Sequence, residues 1–155
     1  MKILLATDGS ETSEAAVEEI TSRTFPKGTQ VRVVSAVQYR APPAIQPFGV
    51  SHEYFAGIER EARQQARTIV DVAAAKLRGG NPALDVTTAV LDDSPKRAIV
   101  EDAETWNPDL IVVGSHGRNS WQRALLGSVS QSVVVHATCS VEIVRRRAES
   151  KRDGK

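Results

Sequence analysis

Patterns typical of buried strands and of amphipathic helices alternate along this chain. Short apolar runs, such as residues 3–6, 31–37 and 110–113, are separated by segments whose apolar residues recur every three or four positions. Residues 84–90 alternate between apolar and polar side chains, as a half-exposed edge strand does, and residues 141–144 form a fifth apolar run. Strands that alternate with helices form a parallel sheet with helices on both faces, because each helix carries the chain back along the sheet. The order β-α-β-α-β-α-β-α-β therefore predicts one open α/β domain.

Local signals set the ends of the predicted helices. Ser10 is a predicted N-cap for a helix over about 11–22, and Ser94 is followed by a proline at the start of another. A long helix is predicted over about 53–77, ended by Gly79-Gly80. Its apolar stripe indicates core packing rather than a cofactor site. The stripe consists of Phe55, Ile58, Ala62, Ala66, Ile69, Ala73 and Leu77.

Composition excludes several classes of protein. The 155 residues are 41% hydrophobic and 25% charged, which predicts one globular domain. The formal net charge of +1 gives no indication of nucleic-acid or membrane binding. The single cysteine, Cys139, excludes an internal disulfide framework and a multi-cysteine zinc site. The first apolar run ends before a signal-peptide core is complete, so we expect a cytoplasmic protein. We also expect a solvated tail over 147–155, because its residues are mostly charged or polar.

The segment that follows the fourth predicted strand carries the most functional information. Gly114-Ser115-His116-Gly117 begins where the strand ends, and Gly127-Ser128-Val129-Ser130 opens the next helix after nine further residues. Glycines allow backbone N–H groups to approach an anion closely, and a helix N-terminus adds unpaired donors and the positive end of its dipole. The hydroxyls of Ser128 and Ser130 add further donors. From these residues alone, a phosphate site and a simple turn with glycines at positive φ are about equally good interpretations.

Asp8 stands at the corresponding end of the first predicted strand. In open parallel sheets, ligands bind beyond the carboxyl ends of the strands, where the strand order reverses. If strands one and four are neighbours there, Asp8 faces the glycine loop. A carboxylate beside phosphates calls for a cation, and Mg²⁺ is suited to one carboxylate plus phosphate oxygens and waters. The alternative is that Asp8 only caps the first helix or closes a turn.

Taken together, these motifs resemble the ATP-binding subgroup of the universal stress protein family over roughly residues 1–146. The family motif of glycine, two residues, glycine, nine residues, glycine and serine or threonine is matched by Gly114, Gly117, Gly127 and Ser128. Asp8-Gly9-Ser10 after the first strand is also typical. The resemblance implies a Rossmann-like fold of the adenine nucleotide alpha hydrolase type. Its five parallel strands would lie in the order 3-2-1-4-5, with ATP where strands one and four diverge.

The resemblance also implies which residues contact the ligand. Residues 6–8 would line the adenosine side, with Asp8 as the metal ligand, and Val37 would contact adenine. Val113, Gly114, His116 and Gly117 would flank the ribose and phosphates, and residues 127–130 would hold the phosphates. The residues implied in nucleotide binding are Ala6, Thr7, Asp8, Val37, Val113, Gly114, His116, Gly117, Arg118, Gly127, Ser128, Val129 and Ser130.

Assembly and function follow from the same resemblance. Family members commonly form homodimers through their last strands, here Val141–Val144, although Glu142 is uncommon in a dry interface. The first hypothesis for function is a nucleotide-dependent regulatory module in a stress response, acting on an unknown protein partner. The second is a slow ATPase or phosphotransferase with the same site. The chain lacks the P-loop pattern and a residue placed to activate water. A scaffold without nucleotide is a third hypothesis, against which the intact glycine loop argues.

Overall fold

The computed structural model describes residues 1–38, 52–117 and 126–146. Most of the loop predicted over 38–50, Arg118 and the tail 147–155 lie outside the described residues. The described elements are β1 Lys2–Ala6, α1 Glu11–Ser22, β2 Gln30–Ala36, α2 His52–Gly80, β3 Asp85–Leu91, α3 Pro95–Trp106, β4 Leu110–Gly114, α4 Ser128–His136 and β5 Ser140–Val144. No helix of these segments is long and apolar enough to cross a membrane.

The five strands form one parallel sheet in the order β3-β2-β1-β4-β5. This confirms the predicted fold class and strand order. The order reverses between β1 and β4, which pair from Ile3 opposite Leu110 to Ala6 opposite Val113. The segments that follow these two strands therefore emerge side by side at the carboxyl edge of the sheet.

Two hydrophobic cores lie on the two faces of the sheet. Because alternate residues of a strand point to opposite faces, one apolar run fills both cores. The first core packs α1 and α2 on the sheet and includes Ile3, Leu5, Val17, Ile20, Val31, Val33, Val70 and Leu77. The second packs α3 and α4 on the other face and includes Leu4, Ala6, Val34, Ile99, Ala103, Ile111, Val113 and Val133. Each fully buried Val, Leu or Ile side chain contributes about 1.5–3 kcal/mol of hydrophobic stabilisation.

Helix α2 differs from its prediction at its end. It continues through Gly79 to Gly80 instead of ending before them. A Cβ on Gly80 would lie 2.1 Å from the Thr21 Cγ2 atom of α1. Gly80 therefore permits close packing of two helices, and the two glycines do not break the helix.

The apolar stripe of α2 is core packing only in its second half. Ala66, Ala73 and Leu77 are buried, whereas Ile58 is 40% exposed, so its predicted core position is wrong. The helix has 29 residues, a length of about 43 Å. The adjacent seven-residue β2 spans only about 23 Å. The first half of α2 therefore extends beyond the end of the sheet, although its apolar residues keep the spacing of a core-facing helix.

Helix α1 is fixed at both ends. The Ser10 side chain accepts a hydrogen bond from the Ser13 N–H, as predicted for an N-cap. At the other end, Arg23 donates two hydrogen bonds of 2.7 Å to the Glu142 carboxylate of β5. That contact raises the pKa of the Arg23 guanidinium, with a smaller contribution from Glu19. By contrast, the predicted cap residue Ser94 makes no side-chain capping bond, and its carbonyl accepts from the N–H groups of Arg97 and Ala98.

Candidate functional site

Asp8 lies directly beside the glycine loop. A Cβ on Gly117 would be 3.1 Å from the Asp8 Oδ2 atom. The other carboxylate oxygen, Oδ1, accepts a hydrogen bond of 3.0 Å from the Ser10 N–H. Asp8 therefore closes the turn before α1 and also faces the loop. The two alternatives given for this side chain are both compatible with the structure.

The first turn of α1 holds the glycine loop in place. The Thr12 hydroxyl donates to the His116 carbonyl, and the Ser10 hydroxyl donates to the same oxygen at 3.5 Å. A Cβ on Gly114 would lie 2.7–2.9 Å from backbone atoms of Thr12 and Ser13. The helix backbone thus packs on Gly114 at a distance that no side chain permits.

Sequence reasoning did not identify the hydroxyls that position the loop. Those of Ser10, Thr12 and Ser115 contact His116, and that of Ser13 supports the turn by bonding to the Ser10 carbonyl. The sequence did contain an indication of them, because three of the four residues from Ser10 to Ser13 carry a hydroxyl. The prediction of helix α1 accounts only for Ser10, as its N-cap.

Gly127 joins the start of α4 to the same loop. Its N–H donates to the Ser115 carbonyl at 2.8 Å, and a Cβ on it would lie 3.2 Å from the His116 Cα atom. The Ser130 hydroxyl is buried and donates to the Gly114 carbonyl at 2.7 Å. Ser128 is exposed at the first position of the helix. The N-terminus of α4 is therefore fixed to the end of β4, with Ser128 on the outside.

The glycines of this loop are explained by close approach and not by backbone angle. Positive φ values among the described glycines occur at Gly9 and Gly28, at 74° and 81°. Gly127 has a φ of −60°, and neither Gly114 nor Gly117 lies in the left-handed region. The interpretation of the loop as a turn that needs positive φ is therefore wrong for these three residues.

His116 carries an unsatisfied polar atom. Its Nδ1 lies 3.0 Å from the Ser115 hydroxyl. Its Nε2 is buried and has no hydrogen-bond partner in the described part of the chain. A buried donor or acceptor without a partner costs about 1–3 kcal/mol, and such atoms are rare in folded proteins. The unpaired nitrogen is the kind of group that a bound ligand satisfies.

The remaining predicted residues lie at the ends of β1, β2 and β4, and two of them direct their side chains into the core. Ala6 and Val113 have their side chains in the second core. Thr7 is buried, and its hydroxyl donates to the Ser13 Oγ atom at 3.1 Å and accepts from the Gly9 N–H at 3.3 Å. Val37 is half-buried just beyond β2, and its N–H donates to the Leu91 carbonyl. A ligand would meet Ala6 and Val113 through main-chain atoms.

A separate cavity of about 190 Å³ opens between α1 and α2. It borders Thr7 and Gly9 but none of the residues 113–117 or 127–130, and most of its wall comes from Val17 and residues 68–76. The predicted phosphate site is therefore a different surface, at the edge of the sheet. Within residues 1–38, 52–117 and 126–146, no group of three or more His, Cys, Asp or Glu side chains is arranged to hold a metal ion.

The packing of α1 on Gly114 predicts a steric effect on stability. Gly114→Ala places a Cβ within 3 Å of the Thr12 and Ser13 backbone, where no rotamer change relieves the overlap. We expect it to lower the free energy of unfolding by about 1–3 kcal/mol, measured by urea denaturation.

Gly79→Ala is the matched control, because a Cβ there meets nothing within 4 Å. We expect Gly79→Ala to leave the free energy of unfolding unchanged or to raise it slightly, because alanine favours a helix more than glycine does. Equal stability of Gly114→Ala and the wild type would show that α1 is not packed on β4 as described.

Known proteins resemble this chain in sequence over most of its length. The universal stress protein family model matches residues 1–145. A universal stress protein of Methanocaldococcus jannaschii is 30% identical over 145 residues, covering 94% of this chain and 82% of the relative. A putative universal stress protein of Staphylococcus aureus is 32% identical over 148 residues, covering 92% and 82%.

Solved structures share the fold at lower identity. A universal stress protein from Lactobacillus plantarum aligns with a TM-score of 0.74 and 23% identity, covering 94% of this chain and 97% of that one. A family protein from Arabidopsis thaliana with AMP bound gives 0.66 and 19%, covering 99% and 97%. A universal stress protein in complex with cAMP gives 0.64 and 22%, covering 93% and 96%. With a matching family model over nearly its whole length, this chain belongs to the universal stress protein family.

Proposed function

We propose that this chain binds an adenine nucleotide, ATP with Mg²⁺, between the Asp8 turn and the glycine loop. Nucleotide binding would make it a regulatory module in a stress response, in the cytoplasm, with a protein partner that senses the bound state. The observation that carries the proposal is the buried, unpaired Nε2 of His116, in a loop that contacts both Asp8 and the start of α4. The AMP and cAMP complexes of two proteins with this fold support an adenine nucleotide as the ligand.

The phosphates would bind at the N-terminus of α4. The N–H groups of Ser128, Val129 and Ser130 are in its first turn and have no intrahelical acceptor. Together with the helix dipole, they favour an anion. The Gly127 N–H is already bonded to Ser115, and the Ser130 hydroxyl is bonded to Gly114. The proposal therefore gives Ser130 a backbone contact with phosphate, and Ser128 the hydroxyl contact.

Asp8 is suited to a magnesium ion that arrives with the phosphates. Its Oδ1 is held by the Ser10 N–H and its Oδ2 faces Gly117, so the carboxylate is oriented beside the phosphate site. One carboxylate is a sufficient protein ligand for Mg²⁺ when phosphate oxygens and waters complete the shell. The bound ion would offset the repulsion between Asp8 and the phosphates.

The nucleoside would lie toward β1 and β2. Val37, just beyond β2, and the backbone of residues 6–8, at the end of the neighbouring β1, would line this side. A ribose hydroxyl both donates and accepts, so it can pair with His116 Nε2 in either tautomer of the ring. This contact would satisfy an atom that has no partner among the described residues.

The proposed assembly is a homodimer through β5. The Val144 carbonyl bonds to the Ser115 N–H, so the backbone groups of Val144 and Glu142 point toward β4. Those of Val141 and Ile143 point to the open edge, because backbone direction alternates along a strand. An open edge with apolar side chains is suited to pairing with a second copy.

The nucleotide site predicts a loss of affinity in Gly117→Val. The new side chain would occupy the space between the loop and Asp8 Oδ2, only 3.1 Å from the Cβ position. We expect the affinity for MgATP to fall at least about tenfold, or 1.4 kcal/mol, in calorimetric titration.

Gly79→Val is the control, since the same substitution there meets open space at the far end of α2. Circular dichroism checks that both variants fold. The proposed nucleotide site would be contradicted if Gly117→Val kept the wild-type affinity. It would also be contradicted if the wild type gave no heat with millimolar MgATP, AMP or cAMP.

The dimer predicts a specific effect of proline in β5. Ile143→Pro removes an N–H that faces the open edge and leaves the β4 ladder intact. We expect a folded monomer by light scattering, whereas Ile143→Val, which keeps the N–H, should remain dimeric. A wild-type monomer, or a dimer that the proline variant preserves, would contradict pairing through β5.

Turnover distinguishes a binding module from an enzyme. Asp8 is committed to the Ser10 turn and the proposed metal, and the Nε2 of His116 to the proposed ribose contact, so we infer that neither activates water. We expect phosphate release from MgATP to be far slower than the ~1–1000 per second of ordinary enzymes. A rate above about one per second in the wild type that disappears in Gly117→Val would instead establish an ATPase.

A further inference from the structure

The sheet has a second edge strand, β3, whose outward backbone groups can be identified. The Asp85 N–H donates to the Thr29 carbonyl, and the Leu91 carbonyl accepts from the Val37 N–H. Both residues therefore point toward β2. Because backbone direction alternates, the N–H and carbonyl groups of Val86, Thr88 and Val90 face away from the sheet. These groups are a template for pairing with another strand.

One of these outward groups is occupied by a cation. Arg78, in the last turn of α2, donates from Nη2 to the Val86 carbonyl at 2.6 Å. At the other end of β3, Arg63 of α2 forms an ion pair of 2.8 Å with Asp92, the residue just after the strand. Helix α2 thus reaches over both ends of this edge.

The edge of β5 lacks such a contact among the described residues. Its outward groups belong to Val141 and Ile143, and no described side chain donates a hydrogen bond to their carbonyls. Arg23, just after α1, instead contacts the Glu142 side chain of β5. The two edges of one sheet therefore differ in their availability for strand pairing.

We propose that Arg78 blocks the β3 edge against a second copy of this chain, so that self-association is confined to β5. The guanidinium has donors and no acceptor, and it occupies the carbonyl where the N–H of an incoming strand would bond. Both kinds of edge contact, β5 with β5 and β3 with β3, would be symmetric pairings. A chain with two open edges would alternate them and grow without closure, whereas a chain with one open edge stops at a dimer.

The test is sedimentation velocity of Arg78→Met, which keeps an unbranched side chain of similar helix propensity but removes the donors. The matched control is Arg67→Met, since Arg67 is an exposed arginine of the same helix that pairs with Asp71. We expect the weight-average mass of Arg78→Met to rise with concentration to at least about twice that of Arg67→Met and the wild type. Equal mass distributions in the two variants would overturn the proposal.

Two further measurements separate this inference from the proposed dimer and from misfolding. Arg78→Met combined with Ile143→Pro should stop at a dimer, because only β3 remains open; an unlimited series of larger species would contradict β3 pairing. Hydrogen exchange should show new protection at the Val86, Thr88 and Val90 amides in the associated state, with the core amides unchanged. Unprotected β3 amides in a larger species would also overturn the proposal. The mass of the wild type alone decides the β5 dimer, so its failure is distinguishable from that of the Arg78 block.

Discussion

The packing of the first turn of α1 on Gly114 determines the geometry of the rest of the site. Strands β1 and β4 pair only as far as Ala6 and Val113, and beyond that point their segments diverge. What holds them together there is a backbone contact with no side chain between, reinforced by the Thr12 and Ser10 hydroxyls on the His116 carbonyl. This contact fixes the loop relative to Asp8 on one side and relative to Gly127 on the other.

The hydroxyl groups of the site mostly serve this framework. Thr7 bonds to Ser13, Ser13 to the Ser10 carbonyl, and Ser130 to Gly114, all within the chain. Polar groups that are satisfied internally do not have to reorganise when a ligand arrives, so this network favours a preorganised site. The proposed ligand contacts are then the groups that this network leaves over: the N–H donors of α4, the Ser128 hydroxyl and the His116 Nε2 atom. Preorganised donors of this kind favour binding but not bond cleavage, which also requires an activated nucleophile.

Much of the fold was predictable because its signals are local. Buried apolar runs identified the strands, and Ser10 and Pro95 identified helix starts that the structure has at the same positions. The position of Asp8 beside Gly117 followed from two strand ends once those strands were neighbours. Sequence could not show the direction of the Ser130 hydroxyl, which depends on the distance between α4 and the Gly114 carbonyl. It also could not show that Ile58 is exposed, since periodicity identifies a helix face but not the length of the sheet beneath it.

Glu142 illustrates why a charge in an edge strand need not prevent pairing along that edge. Side chains of a strand point perpendicular to the sheet, whereas pairing uses backbone groups in its plane. Glu142 points to the face covered by α1, where both of its oxygens accept from Arg23. Val141 and Ile143 point to the opposite face and pack against the second core. The carboxylate is therefore neutralised within its own chain, and a partner strand at β5 would not have to desolvate it. On β3 the arrangement is reversed: there the charge of Arg78 lies in the plane of the sheet, on a backbone carbonyl that a partner strand would need.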